Sequence, residues 1–227
     1  MSEYTLALEG STYAGSVALL RDHEVIAERT LADSGIPSRG GRDERVLPSV
    51  AECLAEADVK VTRVSRVICG AGPGSFTSLR ISASVAKGIA VGVGCPVYAV
   101  SSLLLSIASA PDAMTGGLFL SVLPAMREEW FALLAEVEGG FIAARGDAFI
   151  LGNAELANTA RSHEGRLLGP RQEINSVPHA RGIATMLDQI LSTQPVAIDT
   201  WEPDYGRLAE AQVKWEAAHG RPLGAGT

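Results

Sequence analysis

The sequence predicts an α/β protein that is divided into two lobes. Residues 4–30 contain three short apolar segments separated by polar turns, which is typical of a β-meander. Residues 64–100 alternate an extended apolar segment, a helical pattern and a second extended segment, as βαβ units do. A second strand-rich stretch covers residues 118–144 and is followed by helical patterns. These similar halves indicate a duplicated architecture within the 227 residues, although no direct sequence repeat is visible.

Alternating polarity and turn residues predict the N-terminal elements. Strands are expected at residues 4–8, 16–21 and 24–30, and the last two are joined as a hairpin at Asp22-His23. A loop rich in Gly, Pro, Ser and Arg follows, and then a helix is expected over residues 43–57. The apolar residues of this helix recur at helical spacing and are Val46, Leu47, Val50, Leu54 and Ala57.

Apolar runs and helical spacing predict the remaining elements. In the first half they are a strand at 64–69, a helix at 76–93 and a strand at 97–100. In the second half they are strands at 118–123, 130–137 and 141–144 and helices at 154–161, 180–191 and 208–218. A soft boundary between the lobes is expected within residues 101–110. We therefore predict an N-terminal lobe of residues 1–105 and a C-terminal lobe of residues 106–227, whose last helix can pack back on the N-terminal lobe.

A glycine-rich corner joins the predicted strand at 64–69 to the predicted helix at 76–93, and it reads GAGPGSFTSLR from Gly70 to Arg80. Backbone N–H groups at the N-terminus of a helix can bind a phosphate. The corner is not a Walker A loop, a dinucleotide fingerprint or a nucleophile elbow, because the lysine and glycines that these motifs require are absent. It is interpreted either as a tight turn in which Ser75 or Thr77 caps the helix or as a phosphate-binding loop.

A second polar turn, Glu9-Gly10-Ser11-Thr12, separates the first two predicted strands. A hydroxyl-rich loop between antiparallel strands can wrap a phosphate or can be only a turn. The candidate phosphate-binding or structural residues of the two loops are Ser11, Thr12, Gly72, Gly74, Ser75 and Thr77.

Composition and charge argue against several classes of function. The net charge is −7, and the 19 basic residues are scattered, so this chain alone is not expected to bind a nucleic-acid backbone. Aromatic residues make up 5% of the chain, which suits helix packing better than base stacking. No apolar run is long enough to span a bilayer, and the N-terminus does not resemble a secretion signal. We therefore expect a cytoplasmic protein with no membrane partner.

The sequence contains no evident catalytic or metal-binding constellation. The three cysteines are widely spaced in apolar surroundings, which argues against a disulfide framework and a zinc site. The four histidines are far apart and are expected at the surface. The pairs Glu52/Glu56 and Glu128/Glu129 are expected on a solvated helix face and at a strand start, respectively. We therefore assign no catalytic residue and no metal ligand.

Small residues mark two faces of the predicted helix at 76–93. One face carries Ser78, Ser82 and Ala86. Another face carries the small residues Ala83, Ala90 and Gly94 together with Leu79. Close packing inside this chain explains these residues, and so does a helix-to-helix contact with another subunit.

The corner and three further segments resemble the bacterial TsaB (YeaZ) family. Residues 72–81, followed by Ala86-Lys87-Gly88, are similar to that family's signature, Gly-Pro-Gly-Ser-Phe-Thr-Gly-Leu-Arg-Ile followed by Ala-Lys-Gly. Residues 6–19 resemble its opening segment, residues 125–131 its Asp-Ala-Arg segment, and residues 203–215 its C-terminal Pro-x-Tyr-x-Arg segment. The resemblance spans nearly the whole chain.

This resemblance implies an actin/Hsp70-like (ribonuclease H-like) fold with mixed sheets flanked by helices. It also implies a role in making N6-threonylcarbamoyladenosine at the adenosine next to the anticodon of tRNA. In that family TsaB is a non-catalytic scaffold or activating subunit, which pairs with the threonylcarbamoyl transferase TsaD and is joined by the ATPase TsaE. By the same resemblance, this chain contacts tRNA only through the complex and has no cofactor by itself. The complex uses ATP. TsaE binds this ATP, and TsaD is a further candidate for binding it.

The resemblance places the contact with TsaD on the first two helices of the N-terminal lobe. The implied interface residues are Val46, Leu47, Val50, Leu54, Phe76, Leu79, Ser82, Ala83 and Ala86. The same surface would serve for a homodimer of the isolated chain.

Four positions depart from the family's pattern. They are Glu9, where Asp is usual, Ser78, where Gly is usual, Pro124, where Asp is usual, and Arg42-Asp43-Glu44, where His-Ser-Glu is usual. The departures argue against nucleotide chemistry in this chain and favour a divergent scaffold. Two alternatives stay open: an ATP-binding kinase or peptidase-like enzyme of the same fold, and a self-associating homodimeric paralogue.

Overall fold

The computed structural model describes residues 2–13, 15–31, 45–126, 128–206 and 219. The first of its two sheets contains β1 (Tyr4–Glu9), β2 (Ser16–Arg21), β3 (Glu24–Thr30), β4 (Val64–Gly70) and β5 (Val97–Val100). The strand order is β3-β2-β1-β4-β5, and β1 runs antiparallel to β2 and parallel to β4. Two helices pack on one face of this sheet, α1 (Val46–Glu56) over β2 and β3 and α2 (Phe76–Val93) over β1 and β4.

The second sheet is formed by the C-terminal half of the chain. It contains β6 (Gly117–Pro124), β7 (Glu129–Glu138), β8 (Phe141–Ala144), β9 (Phe149–Gly152), β10 (Arg166–Gly169) and β11 (Ile174–Asn175). The order is β11-β10-β6-β7-β8, and β9 also pairs with β7. Three helices accompany this sheet: α3 (Ser102–Ala108), α4 (Leu156–Ser162) and α5 (Ile183–Leu191).

Helices α3 and α5 lie between the two sheets. Ala7 and Ile68 of the first sheet and Phe119 and Val137 of the second belong to one buried cluster, together with residues of α3 and α5. The opposite face of the first sheet buries Leu6 and Leu8 against α1 and α2. Both faces of β1 are therefore covered, which explains why it reads as a continuous apolar run rather than as a clean alternation.

Most predicted elements are confirmed. The observed bounds agree with the predicted ones for β2, β3, β5, β8 and α2. Strands β1 and β4 are one residue longer at the C-terminal end, and β6 and β7 are one residue longer at both ends. The helix expected from residue 43 is observed from Val46, and residues 43–44 lie outside the described residues. The helix expected at 208–218 also lies outside them.

The prediction of elements was incomplete between residues 101 and 191. The expected boundary at 101–110 contains the helix α3, whose residues Leu103, Leu105 and Ile107 are fully buried. Nearly every residue of α3 is buried, including Ser102 and Ser106, so it has no exposed polar face and its sequence shows no clear amphipathic period. The helices expected at 154–161 and 180–191 begin with 3₁₀ turns, Asn153–Glu155 and Ala180–Gly182. Strands β9, β10 and β11 were not predicted; β11 has only two residues, and β9 has no buried residue.

After α5 the chain returns to the first sheet, in a stretch that we call the return segment (residues 196–206). The N–H of Val196 donates to the carbonyl of Val97 on β5 at 2.8 Å. Ile198 and Trp201 pack against the cluster beneath α1 and α2. The N-terminal lobe therefore includes a piece of the C-terminal sequence. No helix in the described part of the chain is long and apolar enough to cross a membrane.

Candidate functional site

The two loops that the sequence singled out lie in direct contact. The N–H of Ser75 donates to the carbonyl of Ser11 at 2.8 Å. A methyl group on Gly74 would lie 2.7 Å from the Cα of Ser11, so only glycine allows this approach. Gly10 likewise lies against α2, since a methyl group there would be 2.8 Å from the carbonyl oxygen of Ser78. These contacts account for the glycines as packing requirements at the crossing of two loops.

The start of α2 is not capped as expected. Ser75 occupies the N-cap position, but its side chain makes no capping hydrogen bond and instead lies 3.0 Å from the hydroxyl of Ser78. Thr77 is exposed within the first turn. The hydroxyls of Ser11 and Thr12 are buried without a hydrogen-bond partner among the described residues. Phosphate binding by these loops remains a prediction.

Glu9 connects the first loop to the corner. Its carboxylate accepts hydrogen bonds from the N–H of Ser11 at 2.5 Å and from the hydroxyl of Ser102 at 2.9 Å. The same Ser102 oxygen accepts the N–H of Gly72 at 3.1 Å. Burial raises the pKa of the Glu9 carboxyl, and the hydrogen bonds from Ser11 and Ser102 oppose this shift. Ser102, at the start of α3, is thus a site residue that sequence reasoning missed, because nothing local distinguishes it from other serines.

We expect Glu9→Gln to remove a pH dependence of stability. Since the pKa is higher in the folded state than its ordinary value near 4.5, the folded chain holds this proton more tightly than the unfolded chain. The stability that Glu9 contributes is therefore present at low pH and is lost as pH rises through the folded pKa. Urea titrations at pH 5 and pH 8 should show wild type losing stability relative to Glu9→Gln as pH rises. The exposed Glu138→Gln serves as the control, and an equal slope for Glu9→Gln and wild type would contradict the assignment.

Most of the interface residues implied by the family resemblance are buried inside this chain. They are Val46, Val50, Leu79, Ser82, Ala83 and Ala86, each at most 4% exposed. The small residues that the sequence placed on two faces of α2 therefore pack within the molecule, on the side of α2 that contacts β1, β4 and β5, except for Gly94, which is exposed. Of the other three, Leu47 is 56% exposed, Phe76 is 38% exposed and Leu54 is partly buried.

α1 and α2 also have exposed residues next to those buried ones. α1 contacts α2, and both expose small or apolar side chains at helical spacing. We call this surface the α1–α2 face, and its exposed residues are Leu47, Ala51 and Ala55 on α1 and Thr77, Arg80, Ser84, Gly88 and Val91 on α2. A methyl group on Gly88 would have nothing within 4 Å, so this part of the face is open. Small residues on an exposed helix allow another helix to approach closely.

The acidic pair of α1, Glu52 and Glu56, lies beside this face and forms ion pairs within the chain. Arg29 of β3 donates from Nε to Glu52 at 3.1 Å and from Nη2 to Glu56 at 2.5 Å. The solvated helix face expected for these two residues is confirmed, with the addition of a shared arginine.

Lys87 holds the return segment against α2. Its ammonium group donates to the carbonyl of Trp201 and lies 5.6 Å from the centroid of the indole ring. The middle residue of the Ala-Lys-Gly string is therefore explained by tertiary packing. The sequence could not indicate this role, because Trp201 is 114 residues away.

One histidine contradicts the expectation of surface histidines. His179 is 9% exposed and lies between the two halves of the molecule, where its Nε2 is 3.2 Å from the Thr30 hydroxyl. Burial lowers the pKa of His179, and Arg181 lowers it further. A cavity of about 180 Å³ lies beside it, and no group of three or more metal-ligating side chains occurs among the described residues.

Comparison with known proteins shows similarity to proteins of tRNA threonylcarbamoyladenosine biosynthesis. A family model described as "TsaD: tRNA N6-adenosine threonylcarbamoyltransferase" matches residues 36–126, which include α1 and α2. The "tRNA threonylcarbamoyladenosine biosynthesis protein TsaB" of Bacillus subtilis is 28% identical, and the alignment covers 92% of this chain and 96% of that protein. The protein with the same description in Haemophilus influenzae is 39% identical over 43% of this chain and 39% of its own length.

The three-dimensional likeness agrees with the sequence relatives. A structure of YeaZ from Pseudomonas aeruginosa superposes with a TM-score of 0.73 at 24% identity, covering 89% of this chain and 99% of that chain. Together these similarities support a TsaB (YeaZ) assignment for this chain. The predicted fold of two mixed sheets flanked by helices is thereby confirmed, and it is consistent with the two-lobed actin/Hsp70-like architecture. The departures from the TsaB pattern at Glu9 and Ser78 are both accommodated in the buried contacts of the corner.

Proposed function

We propose that this chain is the non-catalytic, activating subunit of a tRNA N6-threonylcarbamoyladenosine synthase, and that it pairs with TsaD through the α1–α2 face. The single observation that carries the proposal is the exposed, small-residue surface on two adjacent helices, where Leu47 is 56% and Val91 is 69% exposed. Small and apolar side chains exposed on two adjacent helices allow a partner helix to approach closely.

The family-model match supports the choice of partner. The part of this chain that resembles TsaD contains both α1 and α2. Two related lobes can pair through equivalent surfaces around an approximate two-fold axis, as in an isologous dimer. The same argument supports a homodimer of the isolated chain through the same face, which pairing with TsaD would displace.

The engagement of the buried corner carboxylate within this chain supports a scaffold role. Among the described residues, no cluster of His, Cys, Asp and Glu could hold a metal ion. The one buried carboxylate at the corner, Glu9, accepts two hydrogen bonds from its own chain. We propose that the complex uses ATP, which TsaE binds, and that TsaD is a further candidate for binding it. We also propose that this chain contributes no cofactor. With a net charge of −7, it would contact tRNA only through its partners.

Sedimentation with TsaD from the same genome tests the proposal. We expect the isolated chain to sediment as a monomer or homodimer and to form a one-to-one complex when TsaD is added. The mixture, with TsaE and ATP, should form N6-threonylcarbamoyladenosine on tRNA, and omission of this chain should abolish or strongly reduce the product. A TsaD that remains separate at micromolar concentrations would contradict the proposal. Tight, magnesium-dependent ATP binding by the isolated chain would favour the kinase-like alternative instead.

A further inference from the structure

Arg80 is the one charged residue among the exposed side chains of α2, and it lies at the end of a row of two aromatic rings, Phe76 and Tyr205, which we call the aromatic ladder. The guanidinium carbon of Arg80 lies 5.3 Å from the centroid of the Phe76 ring. The Phe76 ring in turn lies 4.5 Å from the ring of Tyr205, with the planes tilted by 45°. Stacking on an aromatic face limits the conformations of a guanidinium and so prepares it for binding.

The return segment positions this ladder. The N–H of Asp204 donates to the carbonyl of Ala71 at 2.7 Å, and the Asp204 carboxylate accepts the N–H of Gly206 at 2.7 Å. Tyr205 is therefore held between two anchored residues and lies over the first residue of α2. The C-terminal part of the chain thus determines the orientation of a side chain on the proposed docking helix.

Arg80 is the charged residue of the α1–α2 face. No acidic side chain of the described residues forms an ion pair with it, whereas Glu52 and Glu56 share Arg29, and Lys87 is engaged by Trp201. The neighbouring exposed residues of α2 are uncharged, namely Thr77, Ser84, Gly88 and Val91. A partner helix packed on this stripe would cover a guanidinium, and covering an unpaired charge is costly.

We propose that Arg80, held by Phe76 and Tyr205, determines the specificity of the α1–α2 face by pairing with a carboxylate on the partner protein. This inference rests on the proposed function above. A planar guanidinium binds a carboxylate through two parallel hydrogen bonds, which sets the register of the two helices. A positioned arginine at the end of an otherwise small and apolar surface has the character of an interface hot spot. The alternative anion, a phosphate of tRNA, is disfavoured by the net charge of −7 and by the apolar surroundings of Arg80.

Binding measurements on variants with a matched control test this proposal. Dissociation constants and rates would be measured for immobilised TsaD at low and high salt, after thermal melts have shown that each variant is folded. We expect Arg80→Ala to weaken binding at least about 30-fold, mainly through faster dissociation, and to reduce the salt dependence. We expect Arg80→Lys to restore part of the affinity, Tyr205→Ala to weaken binding about 3- to 10-fold, and Tyr205→Phe to bind as wild type.

The control is Arg63→Ala. Arg63 is also an exposed arginine near an aromatic ring, at 6.0 Å from the Tyr4 centroid, but it precedes β4 and so lies at the opposite end of the sheet from α2's first turn. Wild-type affinity for both Arg63→Ala and Arg80→Ala would overturn the inference and leave the proposed function standing. Loss of tRNA binding by Arg80→Ala with intact pairing would overturn it in favour of a phosphate contact. Failure of the wild-type chain to pair would overturn both.

Discussion

Replacing Gly74 by alanine is expected to cost at least about 3 kcal/mol of unfolding free energy, which is at the severe end for a single substitution. The added methyl group would lie 2.7 Å from the Cα and 2.6 Å from the Cβ of Ser11. Ser11 cannot retreat freely, because its carbonyl accepts the N–H of Ser75 and its own N–H donates to buried Glu9. The two loops would have to separate, and the network through Ser102 would break with them. Urea unfolding followed by circular dichroism measures the loss.

The control for this prediction is the same substitution at Gly88. There a methyl group meets nothing within 4 Å, and the residue lies in the interior of a helix. Alanine is the better helix former, so Gly88→Ala should raise the unfolding free energy by about 0.5–1 kcal/mol. Equal stabilities of Gly74→Ala and wild type would show that the loops do not make the described contact in solution.

Placing arginine on the α1–α2 face is expected to weaken pairing with TsaD by about 100-fold or more, without loss of stability. Ala51→Arg and Gly88→Arg both add a long charged side chain to exposed positions on the helices, where a partner helix must approach closely. Neither position is buried in this chain, so neither change disturbs its core. Isothermal titration with TsaD, together with thermal melts, measures both quantities.

Ala157→Arg is the matched control, since Ala157 is an exposed alanine of α4 on the second sheet. It should leave pairing unchanged. Unaltered affinity for both Ala51→Arg and Gly88→Arg would rule out this face as the docking surface. Charged substitutions at Leu79 or Ala83 would not answer the question, because both are buried and their replacement would unfold the chain.

The candidate site was predictable only in part. The corner, its glycines and its following helix were evident, because a glycine-proline turn and an amphipathic period are local signals. The accessible side of α2 was not, because α2 carries small residues on both its buried and its exposed sides, such as Ala83 and Ser84. Helical spacing tells which residues share a side, but not which side meets the sheet. The interface residues that the family resemblance implied on α2 lie mainly on its more apolar side. In the structure, Leu79, Ala83 and Ala86 of that side face the sheet and are buried.

Local sequence by itself determined the bounds of β2, β3, β5, β8 and α2 and the α/β character of the fold. These features depend on alternation, helical period and turn residues within a few positions of one another. The tertiary structure alone decided the rest. α3 is buried on all sides between two sheets, Ser102 joins Glu9 to Gly72, and the return segment brings Trp201 to Lys87 and Tyr205 to Phe76. Each of these depends on contacts between residues far apart in the chain, whose energies no local pattern records.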